Sequence, residues 1–251
     1  MIIRRLAAAL TAAGLLSGAL ALTAFAREEA DPWAEDTDGE TEWLEEAEIV
    51  EAAEDDSKKD GGEEAEEGTP QAILDAAELT PSPAQSSELQ ELVDEILEDI
   101  LEEEMGTYEK VRACYDYVTS TVSYGSHLRN LSAAVGDTTC ADIYARYGEM
   151  EGFGAVALSA KTGMCNAYAS AFLLLARSIG LDGHLVAGQT GRAGGGYTYH
   201  EWAEIDIGEE TFLFDPQLEQ DLVQAGFPAY TVFCRTYDEV PGRYLRSYRK
   251  L

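Results

Sequence analysis

The chain has 251 residues with 48 acidic and 17 basic side chains, a formal net charge of −31. The imbalance is uneven: residues 27–68 hold 20 acidic against 3 basic side chains, residues 69–107 hold 11 against none, and residues 108–251 hold 17 against 12, a net of only −5. No basic stripe exists to neutralise phosphates, so nucleic acid is excluded as an expected partner.

Arg4 and Arg5 precede an Ala/Leu-rich run over residues 6–22, and Ala24-Phe25-Ala26 follows it. This pattern predicts a signal peptide over residues 1–26 and a secreted or cell-surface protein. A retained anchor is the weaker reading, because Thr11, Gly14, Ser17 and Gly18 dilute the apolar run. No further membrane contact is expected. Export would place Cys114, Cys140, Cys165 and Cys234 in an oxidising compartment, where pairing is the default. If one of them is a working thiol, at most one disulfide forms among the other three, and the sequence does not choose the pair.

Residues 27–84 read as an acidic disordered linker, since runs of like charge with few β-branched residues cannot bury enough apolar surface to offset ordering entropy. Asp56, Asp60, Gly61 and Glu67 fall at ligand and turn places of a calcium loop, but Lys58 occupies a place that needs an oxygen. No metal is assigned there.

Residues 85–106 predict an amphipathic helix, opened by Ser87 with Gln90 as a capping box and stopped by Gly106. Leu89, Leu92, Val93, Ile96, Leu97, Ile100 and Leu101 recur at helical spacing on one face, against an almost wholly acidic opposite face. That acidic face would be repelled by anionic lipid, so the helix is expected to dock on protein. A second helix over residues 108–121 repeats the period through Val111, Cys114, Tyr115 and Val118.

Beyond residue 183 the period changes to alternation, predicting strands at 183–189, 197–207 and 211–215. Helices precede strands instead of alternating with them. The expected class is therefore α+β, helices packed on an antiparallel sheet, in one domain over residues 107–251.

Cys165 follows Thr162-Gly163-Met164 and opens an apolar helix that runs to Gly180. A thiol at the positive end of a helix is biased toward thiolate, and the free backbone N–H groups beside it suit an oxyanion. Gly208-Glu209 suits a two-residue type II′ hairpin between the second and third strands. In that register Ile207 faces Glu210, Trp202 faces Asp215 and His200 faces Gln217, so His200 and Asp215 become diagonal neighbours on one face. Asp215 would then hold the His200 tautomer and leave the other ring nitrogen for a thiol. Taken singly, each residue has a plainer reading: a buried cysteine, a satisfied strand histidine, an aspartate that ends a strand as a turn. His127 lies in a polar loop, and His184 is expected to have no acid across from it. No Cys-x-x-Cys pair or short histidine spacing suggests zinc. Neither a metal nor a cofactor is expected.

Gly163-Met164-Cys165-Asn166-Ala167-Tyr168-Ala169, the strand ending Val186-Ala187-Gly188, His200-Glu201-Trp202 and Phe214-Asp215-Pro216 resemble, in that order, the transglutaminase-like superfamily. The resemblance covers roughly residues 108–238. It implies a papain-like fold with Cys165 as nucleophile, His200 as base, Asp215 as orienter and Trp202 as a packing residue. Glu201 departs from the pattern, since small residues are frequent there. The expected function is an exported thiol hydrolase of peptide or side-chain amides, acting on a peptide or protein substrate that includes cell-wall or surface material. The alternatives are a non-catalytic binding or assembly domain on the same fold, or a transamidase.

Overall fold

The structure is a computed structural model and describes residues 66, 68–125, 140–192 and 195–250. The signal segment, the calcium-loop residues 56–61 and 67, and His127 therefore lie outside the described residues.

The first helix, α1 (Pro70–Asp75), is capped by the Thr69 hydroxyl, which accepts from the Ala72 N–H at 3.3 Å. Pro70 stands at the helix start, where its missing N–H costs nothing. Leu74 is fully buried in the main core. Farther on, the Thr80 N–H donates to the Gly180 carbonyl at 2.8 Å and the Ser82 N–H to the Arg177 carbonyl at 2.9 Å. The expectation of a linker reaching residue 84 is thus corrected for residues 69–84. One buried leucine and two backbone bonds tie this stretch down, and an average over acidic composition hides both.

Helix α2 (Ser87–Ile100) is capped by Ser86, one residue before the predicted cap. Gln90 instead accepts from the Ala84 N–H at 2.7 Å. Leu89, Leu92, Val93 and Ile96 are buried as the period predicted. Gly106 does not stop this helix; it caps the start of α3 (Thr107–Thr121), where Glu109 reaches back to accept from its N–H at 2.8 Å.

Two short strands, β1 (Ser123–Tyr124) and β2 (Thr162–Gly163), pair in parallel on either side of α4 (Cys140–Tyr147) and α5 (Glu149–Ala160). Helix α5 is buried over most of its length, and Gly154 lets it press onto the central helix α6 (Cys165–Ile179). A Cβ at Gly154 would come within 3.0 Å of the Ser170 carbonyl oxygen.

The remaining elements are β3 (Gly183–Gly191), β4 (Tyr197–Ile207), β5 (Glu210–Phe214), α7 (Pro216–Gln224), β6 (Phe233–Arg235) and β7 (Tyr244–Lys250). The strands form one antiparallel sheet in the order β6-β5-β4-β3-β7. Alternation gives this sheet two occupied faces. Ala203, Ile205, Phe212 and Phe214 join the helical core around Phe172, whereas Val186, Trp202 and Leu213 join Leu218, Leu222, Val232, Val240 and Tyr244 in a smaller core. The α+β class holds.

Candidate active site

Cys165 is the first residue of α6 and is 8 % exposed. Helix geometry leaves its backbone N–H without an acceptor inside the helix, and Met164 supplies no side-chain cap. The approach to Cys165 is held by β2, with Gly163 opposite Tyr124 and the Gly125 N–H donating to the Gly163 carbonyl at 3.0 Å. One turn into α6, the Tyr168 hydroxyl lies 2.7 Å from the Val122 carbonyl and 2.8 Å from Gln220 Oε1. Gln220 in turn donates to the Val122 carbonyl at 2.9 Å. The thiol helix, the C-terminal end of α3 and α7 are therefore fastened to one another.

The β4–β5 ladder has the predicted register from Ile207↔Glu210 to Ala203↔Phe214. Gly208 takes φ 64° at the first central residue of the hairpin, where only a positive φ fits the strand twist. The next expected pairs do not form. The chain leaves the ladder at Asp215, whose N–H donates to the Val232 carbonyl at 3.2 Å, and Pro216 starts α7. Asp215 caps that helix, its Oδ1 accepting from the Leu218 N–H at 3.0 Å.

His200 and Asp215 nevertheless meet, with Nε2 2.6 Å from Oδ2. Both are buried, at 4 % and 1 % exposed. Since Nε2 is committed to the carboxylate, Nδ1 is the ring nitrogen available to the Cys165 thiol. Burial alone would lower His200, but the charge and hydrogen bond of Asp215, joined by the hydrogen bond and charge of Cys165, hold its pKa well above the ordinary imidazole value. The three residues named from the sequence are thus brought together, and the imidazole is biased toward its charged form.

Trp202 stacks beside His200, with ring centroids 6.2 Å apart and planes at 21°, and its Nε1–H donates to the Tyr237 hydroxyl at 2.9 Å. Glu201 is buried on the neighbouring strand position and accepts from the Tyr199 hydroxyl. Four residues join this region without a signal in the sequence. Tyr244 donates to Asp215 Oδ2 at 2.8 Å, and the fully buried Glu204 accepts from Tyr237 and from Arg246, the latter at 2.6 Å. Nothing in local sequence could have found them, since each contact joins segments far apart in the chain.

The expectation for His184 is corrected. Glu204 stands directly across from it in the β3–β4 ladder, with Nε2 3.1 Å from Oε2. The strand read as 183–189 runs on to Gly191, and no two-residue turn joins β3 to β4 to mark their register, so this pairing leaves no local signal in the sequence. Cys114 and Cys234 are buried free thiols, each pushed up to about 12 by burial first of all. A bridge between them is not formed, and the Cys140 side chain lies outside the described residues. Among the described residues, no group of three His, Cys, Asp or Glu could hold a metal ion, and no helix is long and apolar enough to cross a membrane.

A thiol at a helix start, an imidazole on an antiparallel sheet and a carboxylate fixed on that imidazole define the papain-like class of architecture. The model of the transglutaminase-like superfamily matches residues 94–216, just under half of the chain, and this matched segment contains all three side chains. A crystal structure from Cytophaga hutchinsonii, whose assignment as a cysteine protease is itself provisional, is similar at 17 % identity with a TM-score of 0.34. The similarity covers 54 % of this chain and 39 % of that one, so the chain spans about two fifths of that protein's length. No curated protein matches the chain.

Proposed function

We propose that the protein is an exported thiol hydrolase that cleaves peptide or side-chain amides through a thioester on Cys165. The observation that carries the reading is the 2.6 Å contact of His200 Nε2 with Asp215, which leaves Nδ1 for the thiol. The Cys165 thiolate attacks the amide carbon, and backbone N–H groups at the start of α6 receive the developing oxyanion. His200 gives its proton to the leaving nitrogen as the C–N bond breaks. It then takes a proton from water, which attacks the thioester and frees the acid and the thiolate. The Ala/Leu run before Ala24-Phe25-Ala26 supports secretion or cell-surface display, with a peptide or protein as substrate.

An electrophilic amide-mimic probe tests the nucleophile. Cys165→Ala should abolish labelling, while Cys114→Ser and Cys234→Ser should leave it intact; labelling that persists in Cys165→Ala rejects the reading. Incubation with an amide substrate and a labelled primary amine at millimolar concentration separates hydrolysis from transfer. Incorporation above hydrolysis would make the protein a transamidase. A protein whose Cys165 labels but which turns over no member of a peptide library is a binding domain.

A further inference from the structure

The Asp215 carboxylate receives three hydrogen bonds, and only that of His200 comes from within the matched segment 94–216. The second comes from Leu218, two residues past that segment's end, in the helix that Asp215 caps. The third donor is the Tyr244 hydroxyl, 2.8 Å from the same Oδ2 that holds His200. Tyr244 is the first residue of β7, the edge strand beside β3, and pairs there with Thr190. Its ring is wedged against Trp202, with centroids 4.9 Å apart, and meets Tyr237 edge-on at 6.3 Å. It is 7 % exposed.

We infer that Tyr244 is a positioning residue for the proposed thiol chemistry, its hydroxyl locking the Asp215 carboxylate on His200 Nε2 so that the last strand of the chain completes the site. The inference rests on the proposed triad. A carboxylate torsion has a broad, roughly two-fold minimum, so a cap bond to Oδ1 alone leaves Oδ2 free to swing. A second donor on Oδ2 removes that freedom. Burial first, then the charge of Asp215 and the hydrogen bond to it, raise the Tyr244 hydroxyl far above the ordinary phenol value, so it remains a donor throughout the working range. The packing of its ring has a separate effect: Tyr244 and His200 both lie against Trp202, and phenylalanine would preserve that packing while deleting the donor.

Tyr244→Phe therefore isolates the hydroxyl. The ionisable groups that interact with His200 are Asp215, Cys165 and Asp221, and those that interact with Tyr244 are Asp215, Arg243, Glu219, Tyr115 and Tyr237. None but the hydroxyl is altered. The readouts need no substrate: the rate of Cys165 alkylation by iodoacetamide at neutral pH, mapped by mass, and the His200 titration by NMR in a protein with three histidines. Tyr244→Phe should slow alkylation about tenfold and lower the His200 midpoint by about one pH unit, the shift expected when a carboxylate free to swing gives up part of its attraction for the imidazolium. Asp215→Asn should move both further in the same direction. A normal His200 midpoint and alkylation rate in Tyr244→Phe, with Asp215→Asn displaced, overturns the role of Tyr244 alone. If Asp215→Asn also leaves both unchanged, the proposed triad itself fails.

Discussion

Gly188 lies directly opposite His200 in the β3–β4 ladder, and the ring of Trp202 occupies the space that any side chain at 188 would need. A Cβ there would stand 2.5 Å from the Trp202 ring and 2.4 Å from the Leu245 carbonyl oxygen. The absence of a side chain is what lets Trp202 lie flat beside the imidazole. Gly188→Ala should cost about 1–3 kcal/mol, the range for overpacking, and should reduce Cys165 reactivity by tilting the Trp202–His200 stack. Gly191→Ala is the control, because its nearest neighbour would be 4.0 Å away. Equal melting temperatures and alkylation rates in the two variants would refute the packing argument.

Asp215 has two duties, and asparagine can perform only one. Asn caps helices as well as Asp does, so α7 should persist in Asp215→Asn. The amide can present an N–H to Nε2, which fixes the wrong imidazole tautomer and removes the charge that supports the imidazolium. Turnover should fall by about four orders of magnitude, as in other triads, with the melting temperature close to that of the wild type. A collapse of the melt would show that the cap, and not the tautomer, dominates.

Leu74 ties α1 into the main core although it belongs to the acidic first half of the chain. Leu74→Ala should destabilise the fold by about 2–5 kcal/mol, read as a lower urea midpoint at unchanged slope. A chain beginning at Pro83 loses α1 and the Thr80 and Ser82 bonds together, and should unfold at still lower urea. Equal midpoints for the full chain and the chain from Pro83 would mean that α1 contributes no stability.

Glu204 is fully buried. Burial raises its pKa, but hydrogen bonds from His184 and Tyr237 and the charge of Arg246 outweigh that and hold it below the ordinary value of 4.5. A depressed carboxylate contributes stability above its unfolded value and loses it as pH falls through the folded one. The acid side of the melting profile should therefore steepen below about pH 4.5 in the wild type and flatten in Glu204→Gln. At neutral pH Glu204→Gln should cost about 1–3 kcal/mol, because the donors around it lose a charged acceptor. Identical acid profiles for the two proteins would assign the steep region to other carboxylates.

Local pattern was sufficient wherever one periodicity governed one element. The α6 helix, the β4–β5 hairpin with its register as far as Phe214, and the apolar face of α2 could all be read from spacing and glycine placement. Cys165 and Asp215 followed because each sits at an element's end that leaves a mark in the sequence, and His200 because the hairpin register puts it on the Asp215 face of β4. Helix α5 left no such mark, since a helix buried nearly all round has no polar face to set a period. The Asp-Pro step was read as a strand end, though Asp followed by Pro also suits the cap and first turn of a helix. The family resemblance and the residue order underlie the proposed thiol chemistry. What only the tertiary structure decided is how Asp215 is held: by a helix cap on one oxygen and by Tyr244 on the other. The same holds for the pairing of Glu204 with His184 and for the place of Leu74 in the core. Each depends on contacts between segments apart in the chain, whose free energy comes from burial at a surface that exists only after the sheet has folded.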